Sequence, residues 1–173
     1  MPTSDPAIET RAEQPYVGIK RAVTMQTVGH GADRIPAVFE WLAQRGIEPA
    51  GAPFLKFDVI DMEGELVIQA GVPIAAPVAA GAEGEGDDEV FCSVLPAGRY
   101  ATATHLGAFD ELIDATRALL EWAAASGLVW DSIETDAGTS WGCRLEIYHT
   151  NPALEPDPAK YRTQLAFRLA DNG

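Results

Sequence analysis

The sequence predicts an α+β domain in which two βαββ units join into one antiparallel sheet, with two helices on one face and a ligand cleft on the other. Three observations carry that expectation. Segments of apolar/polar alternation bracket a segment of helical spacing, in the same order in each half of the chain. A stretch rich in Ala, Gly and acid, residues 77–89, separates the halves and offers almost nothing to bury. The helix ends also match: Glu40-Trp41-Leu42-Ala43-Gln44-Arg45-Gly46-Ile47 is echoed by Glu121-Trp122-Ala123-Ala124-Ala125-Ser126-Gly127-Leu128, so that Glu-Trp, the Gly and the following aliphatic residue coincide. Recurrence at the same place in two similar halves points to internal duplication.

In chain order, residues 1–15 read as a flexible tail, poor in groups to bury. The domain proper is expected over residues 16–171, with repeat one at about 17–76, the acidic linker at about 77–89 and repeat two at about 90–170. Residues 17–28 read as a strand. Ile35, Val38, Phe39 and Leu42 then recur with helical spacing until Gly46 supplies a stop. Leu55, Phe57 and Val59 alternate with Lys56 and Asp58, and Met62-Glu63-Gly64-Glu65 turns the chain into a strand carrying Leu66, Ile68, Ala70 and Val72. After the linker, residues 90–95 and 99–105 predict a hairpin around Pro96-Ala97-Gly98. Phe109, Leu112, Ile113, Thr116, Leu119, Leu120 and Ala123 form one helical stripe, and Asp110 and Glu111 suit the positive end of its dipole. Alternation returns at Cys143, Leu145 and Ile147, and again at Tyr161, Thr163, Leu165, Phe167 and Leu169, giving two closing strands.

Composition narrows the function. The chain has 173 residues, enough for one domain with a substantial core. No run of roughly 18 apolar residues is present to span a bilayer, and the N-terminus lacks the basic-then-apolar order of a signal peptide. No membrane association and a cytoplasmic location are the expectations. Cys92 and Cys143 are expected to be reduced and at least partly buried. Twelve basic against twenty-six acidic residues give a net charge of -14, a field that repels phosphate backbones. Direct nucleic-acid binding is disfavoured, whereas lipophilic cations or a basic protein partner would be attracted. Solubility alone also accounts for acidic surface charge.

Leu95-Pro96-Ala97-Gly98-Arg99-Tyr100, His105-Leu106-Gly107, and Leu145-Glu146-Ile147-Tyr148 through Asn151-Pro152 stand in an order that resembles GyrI-like domains, the small-molecule (effector) binding domains of bacterial transcription activators. Thr163 also fits, and the resemblance runs over about residues 17–169. Its most specific piece is the Glu-x-Tyr strand followed by Asn-Pro. The resemblance implies a duplicated βαββ fold that binds amphipathic, often cationic, small molecules, alone or attached to a DNA-binding helix-turn-helix segment. About fifteen residues precede the fold, too few for such a segment, so a regulatory output on DNA is expected to need a partner.

Glu146 is the central candidate. Alternation puts it with Arg144 and Tyr148 on the face opposite Cys143, Leu145 and Ile147. If the apolar set packs on the helices, Glu146 faces the cleft; the bland alternative is a solvated Glu on an exposed strand face. A carboxylate among aromatic rings would attract a cation, with cation–π contact adding about 0.5–2 kcal/mol. Candidate ring partners are Tyr148, Trp141, Tyr100, Phe57 and Phe54, although alternation splits Phe54 from Phe57, and Trp130 is a weaker candidate. Trp41 and Trp122, at helix ends, read as structural.

Other chemistry has little support. His30, His105 and His149 lack the spacing of a zinc site, and no metal or cofactor is expected. Gly81-Ala82-Glu83-Gly84-Glu85-Gly86 is glycine-rich, but its acids would repel phosphate and no strand-loop-helix context surrounds it. Neither a nucleophile elbow nor a catalytic-cysteine motif is present. Three functions compete. The first is a stand-alone binder or sensor of amphipathic drugs or metabolites. The second is a hydrolase of cyclopropane-bearing compounds, as in some members of the resembling family, with Glu146 as the catalytic carboxylate. The third is an acidic protein-interaction module of the gyrase-inhibitor type.

Overall fold

The computed structural model describes residues 5–24, 26–27, 34–61, 63–78, 90–152 and 154–170. Ten strands form one sheet: β1 (Ala7–Arg11), β2 (Gln14–Val23), β3 (Phe54–Ile60), β4 (Leu66–Pro73), β5 (Val90–Leu95), β6 (Gly98–Leu106), β7 (Ser132–Thr135), β8 (Gly138–Trp141), β9 (Arg144–Tyr148) and β10 (Arg162–Arg168). Helix α1 spans Ile35–Gln44 and α2 spans Leu112–Ala125, the latter preceded by a 3-10 turn at Phe109–Glu111. The order is β1-β6-β10-β9-β3-β4-β2-β5, every pairing is antiparallel, and the β7–β8 hairpin joins β3 through β8. The α+β antiparallel architecture expected from the patterning is present.

The order reads alike from either end, with β3 and β9 meeting at the centre. Both helices end alike too. Gly46 and Gly127 take φ of 67° and 72°, Ile47 N–H donates to Leu42 O and Leu128 N–H to Ala123 O, each at 3.0 Å. These are Schellman closures, in which a left-handed residue turns the chain and satisfies the last carbonyls. The shared Gly-aliphatic signature thus has a mechanical use at both ends.

Three expectations change. Residues 1–15 are not all tail, since Ala7–Arg11 pairs with β6 along Ala7↔Thr102 to Arg11↔Gly98. An otherwise open β6 edge supplies the partner that composition did not reveal. The hairpin expected around Pro96-Ala97-Gly98 does not form: β5 pairs with β2, and β6 with β1 and β10. Pro96 has no N–H to give to a hairpin ladder, and the corner carbonyls are held elsewhere. Tyr100 donates its hydroxyl to Pro96 O (2.7 Å), and Arg168 donates to Ala97 O from Nε (3.1 Å) and Nη2 (2.8 Å). β1 and β5 therefore each cross to the opposite half of the sheet. The β7–β8 hairpin was not foreseen, because its exposed Glu134 and Thr135 leave no apolar alternation to read. Residues 79–89 of the linker, Met62 of the turn and His30 lie outside the described residues.

The sheet face that lacks helices is also apolar. Tyr16, Phe54, Phe91, Leu95, Tyr100, Cys143, Leu145, Ile147 and Ala166 form a core there, with the Tyr16 ring set edge-on to Phe54 (5.3 Å) and Phe91 (6.0 Å). The helix face carries three further clusters. Val38 and Leu42 of α1 pack on Val17, Ile19, Val72 and Ile74. Leu112, Ala115, Leu119 and Ala123 of α2 pack on Ala101, Ala103, Leu165 and Phe167. Leu55, Phe57, Leu66, Ile68 and Ala70 lie between, with Ile35. Ile113, on the expected α2 stripe, is instead 52% exposed. Both cysteines are free, Cys143 buried and Cys92 half-buried. Among the described residues no helix is long and apolar enough to cross a membrane, and no cluster of His, Cys, Asp and Glu is placed to hold a metal ion.

Candidate functional site

The strand register places Glu146. Paired positions across neighbouring strands share a face, and Ile19↔Ala70, Ala70↔Leu55, Leu55↔Glu146, Glu146↔Leu165 and Leu165↔Ala103 make one row across the sheet. Ile19 packs under α1 and Ala103 under α2, so Glu146 stands on the helix face, between two leucines and midway between the helices. This corrects the expected geometry. The face without helices does hold a cleft, of about 460 Å³, but Leu145 and Ile147 line it and Glu146 turns away. The apolar set of β9 packs with Tyr16, Phe54, Phe91 and Tyr100 on the helix-free face, not under the helices.

Arg144, Glu146 and Tyr148 follow one another on the helix face of β9, all half-buried. The Tyr148 hydroxyl donates to Glu146 Oε1 at 2.8 Å. Burial pushes the Glu146 carboxyl up, against the Tyr148 hydrogen bond and the Arg144 charge, which favour the anion. Burial and then the neighbouring carboxylate push Tyr148 well above its ordinary value. Arg144 is brought down to about 10, chiefly by burial, with Glu146 opposing the shift. Its guanidinium lies over the rings of Trp141 (4.8 Å) and Phe167 (4.5 Å) and makes no ion pair with Glu146. The carboxylate thus lacks a bonded cation among the described residues.

Of the sequence candidates, the fold brings Tyr148, Trp141 and Phe57 to the face of Glu146 and separates Tyr100. Phe57 joins the central cluster, and a bulge after it re-aims β3 so that Ile60 also reaches this side. Trp141 packs with Phe167 at 5.8 Å and Trp130 at 5.5 Å. Tyr100 lies in the opposite core with Phe54. Two neighbours of Tyr148 were not named for the site. Phe109 meets it edge-on at 5.6 Å and stacks on Tyr161 at 4.8 Å. The Thr163 hydroxyl, opposite Tyr148 and His105 in the register, is wholly buried without a hydrogen-bond partner among the described residues. Its alternation with Leu165 was the available signal. His105 itself is buried and bonded to Glu111 at 3.0 Å.

The fold is shared with solved structures of low sequence identity. The EcmrR C-terminal domain superposes with a TM-score of 0.70 at 15% identity, covering 96% of this chain and 98% of that one. The chain spans 59% of the EcmrR chain in its DNA complex, where the TM-score is 0.71 at 16% identity over 99% of this chain. SAV2435 bound to tetraphenylphosphonium gives 0.57 at 13% identity over 96% and 94% of the two chains. A hydrolase from Listeria innocua gives 0.58 at 14% over 98% and 94%. No curated protein matches by sequence. The family model described as the GyrI-like small molecule binding domain matches residues 4–170, nearly the whole chain, and the protein therefore belongs to the GyrI-like small-molecule-binding domain family.

Proposed function

We propose that the chain binds amphipathic cationic small molecules on the helix face, with Glu146 as counter-charge and Tyr148, Trp141 and Phe57 as apolar and aromatic walls. One observation carries the reading: a carboxylate stands in an otherwise apolar row, bonded to a tyrosine and, among the described residues, to no cation. A buried acid of this kind is driven toward its neutral form, and an incoming cation restores the ionised one. At about 4 Å and an effective dielectric near 20, a unit charge pair is worth about 4 kcal/mol before desolvation, and each ring contact adds about 0.5–2 kcal/mol. Such a site selects by charge and bulk, which gives broad selectivity suited to sensing or sequestration. The complex of the similarly folded SAV2435 with tetraphenylphosphonium supports this ligand class.

The test is calorimetric binding of tetraphenylphosphonium and of size-matched neutral dyes to wild type and Glu146→Gln, with product analysis on the same samples. Cation binding weakened at least about ten-fold in the variant, about 1.4 kcal/mol, with neutral dyes unaffected and ligands intact, supports the proposal. Equal cation affinity in both forms overturns it. A second reading has its own support: the Glu146–Tyr148 pair, its carboxyl pushed up by burial, can donate and accept a proton, and one similarly folded protein is a hydrolase. Recovery of a hydrolysed cyclopropane-bearing substrate, lost in Glu146→Gln, moves the protein into that class.

A further inference from the structure

The cleft on the helix-free face has no part in the reading above, and its chemistry is opposite in sign. Its floor is apolar: Phe54, Tyr100, Leu145 and Ile147 come from three different strands and are each under 9% exposed. Its volume of about 460 Å³ falls within the about 300–1,000 Å³ of ordinary small-molecule sites. The crossing of β1 into β2 puts Arg11 at the rim, and its guanidinium stands 5.7 Å from the Tyr100 ring centroid. Nη2 of Arg11 donates to Gln164 Oε1 at 3.2 Å and lies 3.5 Å from Glu9 Oε1. Nε is buried and has no acceptor among the described residues. His149, also on the rim, lies 3.4 Å from the same Gln164 oxygen.

An arginine half-committed to a surface glutamate, with a buried N–H left unbonded above an apolar floor, lacks an anion with an apolar body. The geometry points to a second binding site, on the face opposite Glu146, for a small amphipathic carboxylate: Arg11 holds the carboxylate and the Phe54–Leu145–Ile147 floor takes the hydrocarbon. Guanidinium and carboxylate match as a planar fork to two oxygens, which a hydroxyl or an ammonium does not reproduce. The rim acids Glu9 and Glu13 oppose an anion, as does the net charge of -14. Glu13 and the net charge act from the surface and are screened over about 8 Å at physiological ionic strength, whereas Glu9, 3.5 Å from Arg11, lies inside that distance and competes with a ligand carboxylate for the guanidinium.

The probe is dodecanoate, compared with dodecanol and dodecyltrimethylammonium, each below its micelle concentration, by calorimetry in about 0.15 M salt. Wild type is expected to bind dodecanoate saturably and in preference to the other two. Arg11→Gln should weaken dodecanoate about ten-fold or more while leaving dodecanol unchanged. Ala50→Trp, at an exposed rim position of the cleft, should weaken both by filling the space. Saturating tetraphenylphosphonium should not displace dodecanoate, since the two faces are separated by the sheet. Unchanged dodecanoate affinity in Arg11→Gln with a wild-type melting temperature overturns the inference, as does absence of saturable binding, or displacement by the cation.

Discussion

Thr163→Val tests whether the helix face carries an unsatisfied buried group beside the proposed site. The hydroxyl is fully buried, faces the same side as Tyr148 and His105, and finds no partner among the described residues. A buried hydroxyl without a hydrogen bond costs about 1–3 kcal/mol. Valine keeps the branched shape and replaces the hydroxyl with a methyl group, so the variant should be more stable by about that amount. For a chain of 173 residues, each kcal/mol moves the melting temperature by about 2–4 °C, and the expected rise is about 2–12 °C. Thr102→Val is the matched control, since its hydroxyl is also buried in a strand but bonds Glu9 Oε2 at 3.2 Å and Ala7 O at 3.4 Å. There a loss of about 0.5–1.5 kcal/mol is expected. Urea titrations of wild type and both variants measure the difference. If Thr163→Val loses as much stability as Thr102→Val, the hydroxyl has a partner and the account of that wall is wrong.

Three further outcomes follow from the same face and its reverse. The Glu146 carboxyl is raised by burial, so the folded state holds its proton more tightly than the unfolded chain, and stability is lost as pH rises through the folded value. Glu146→Gln, which cannot ionise, should therefore match wild type at low pH, where the carboxyl is protonated, and exceed it at higher pH, where the carboxyl must ionise, in urea titrations. Tyr148→Phe removes the 2.8 Å hydrogen bond that favours the anion, so the pH above which wild-type-like cation binding appears should move upward, as calorimetry from pH 5 to 9 would register. Gly71→Ala places a Cβ at 2.5 Å from Phe54 Cζ and 2.7 Å from Cε1 in the core of the helix-free face. Overpacking of that kind costs about 1–3 kcal/mol, and a melting temperature equal to wild type would contradict the packing described.

Much of the fold was legible because its period was clean. The α1 register of Val38 and Leu42, the Gly46 and Gly127 stops and the β9 alternation are all set by local chemistry, and all recur in the structure. What was not legible depended on partners distant in sequence. Ala7–Arg11 has little to bury alone, and becomes a strand because β6 offers it an edge. Pro96-Ala97-Gly98 looks locally like a turn, yet whether the flanking strands fold back or cross is decided by Arg168 and by the β2 edge. At the site, alternation correctly grouped Glu146 with Arg144 and Tyr148 and split Phe57 from Phe54. It could not say which group faced the helices, because period two is the same for both faces of a sheet.

That ambiguity has a structural cause with a functional consequence. In a sheet covered on one side, the apolar residues of a central strand identify the helix side, and Leu145 and Ile147 would have packed there. Here the second face carries an apolar core of its own, with Phe91 and Leu95 of β5 beside Tyr16, Phe54 and Tyr100, so β9 is apolar toward that core and amphipathic on the side between the helices. A polar trio in the middle of a helix-covered face is costly unless its groups find partners. The Arg144 guanidinium answers its own burial by stacking on Trp141 and Phe167, and Tyr148 answers its burial on Glu146. Among the described residues Glu146 receives only the tyrosine hydroxyl, and burial leaves its carboxyl raised. A core selected for stability alone would place an aliphatic residue there, continuing the Leu55–Leu165 row. The acid instead carries a cost to folding, which the proposed role as counter-charge to a cation would offset when the ligand binds.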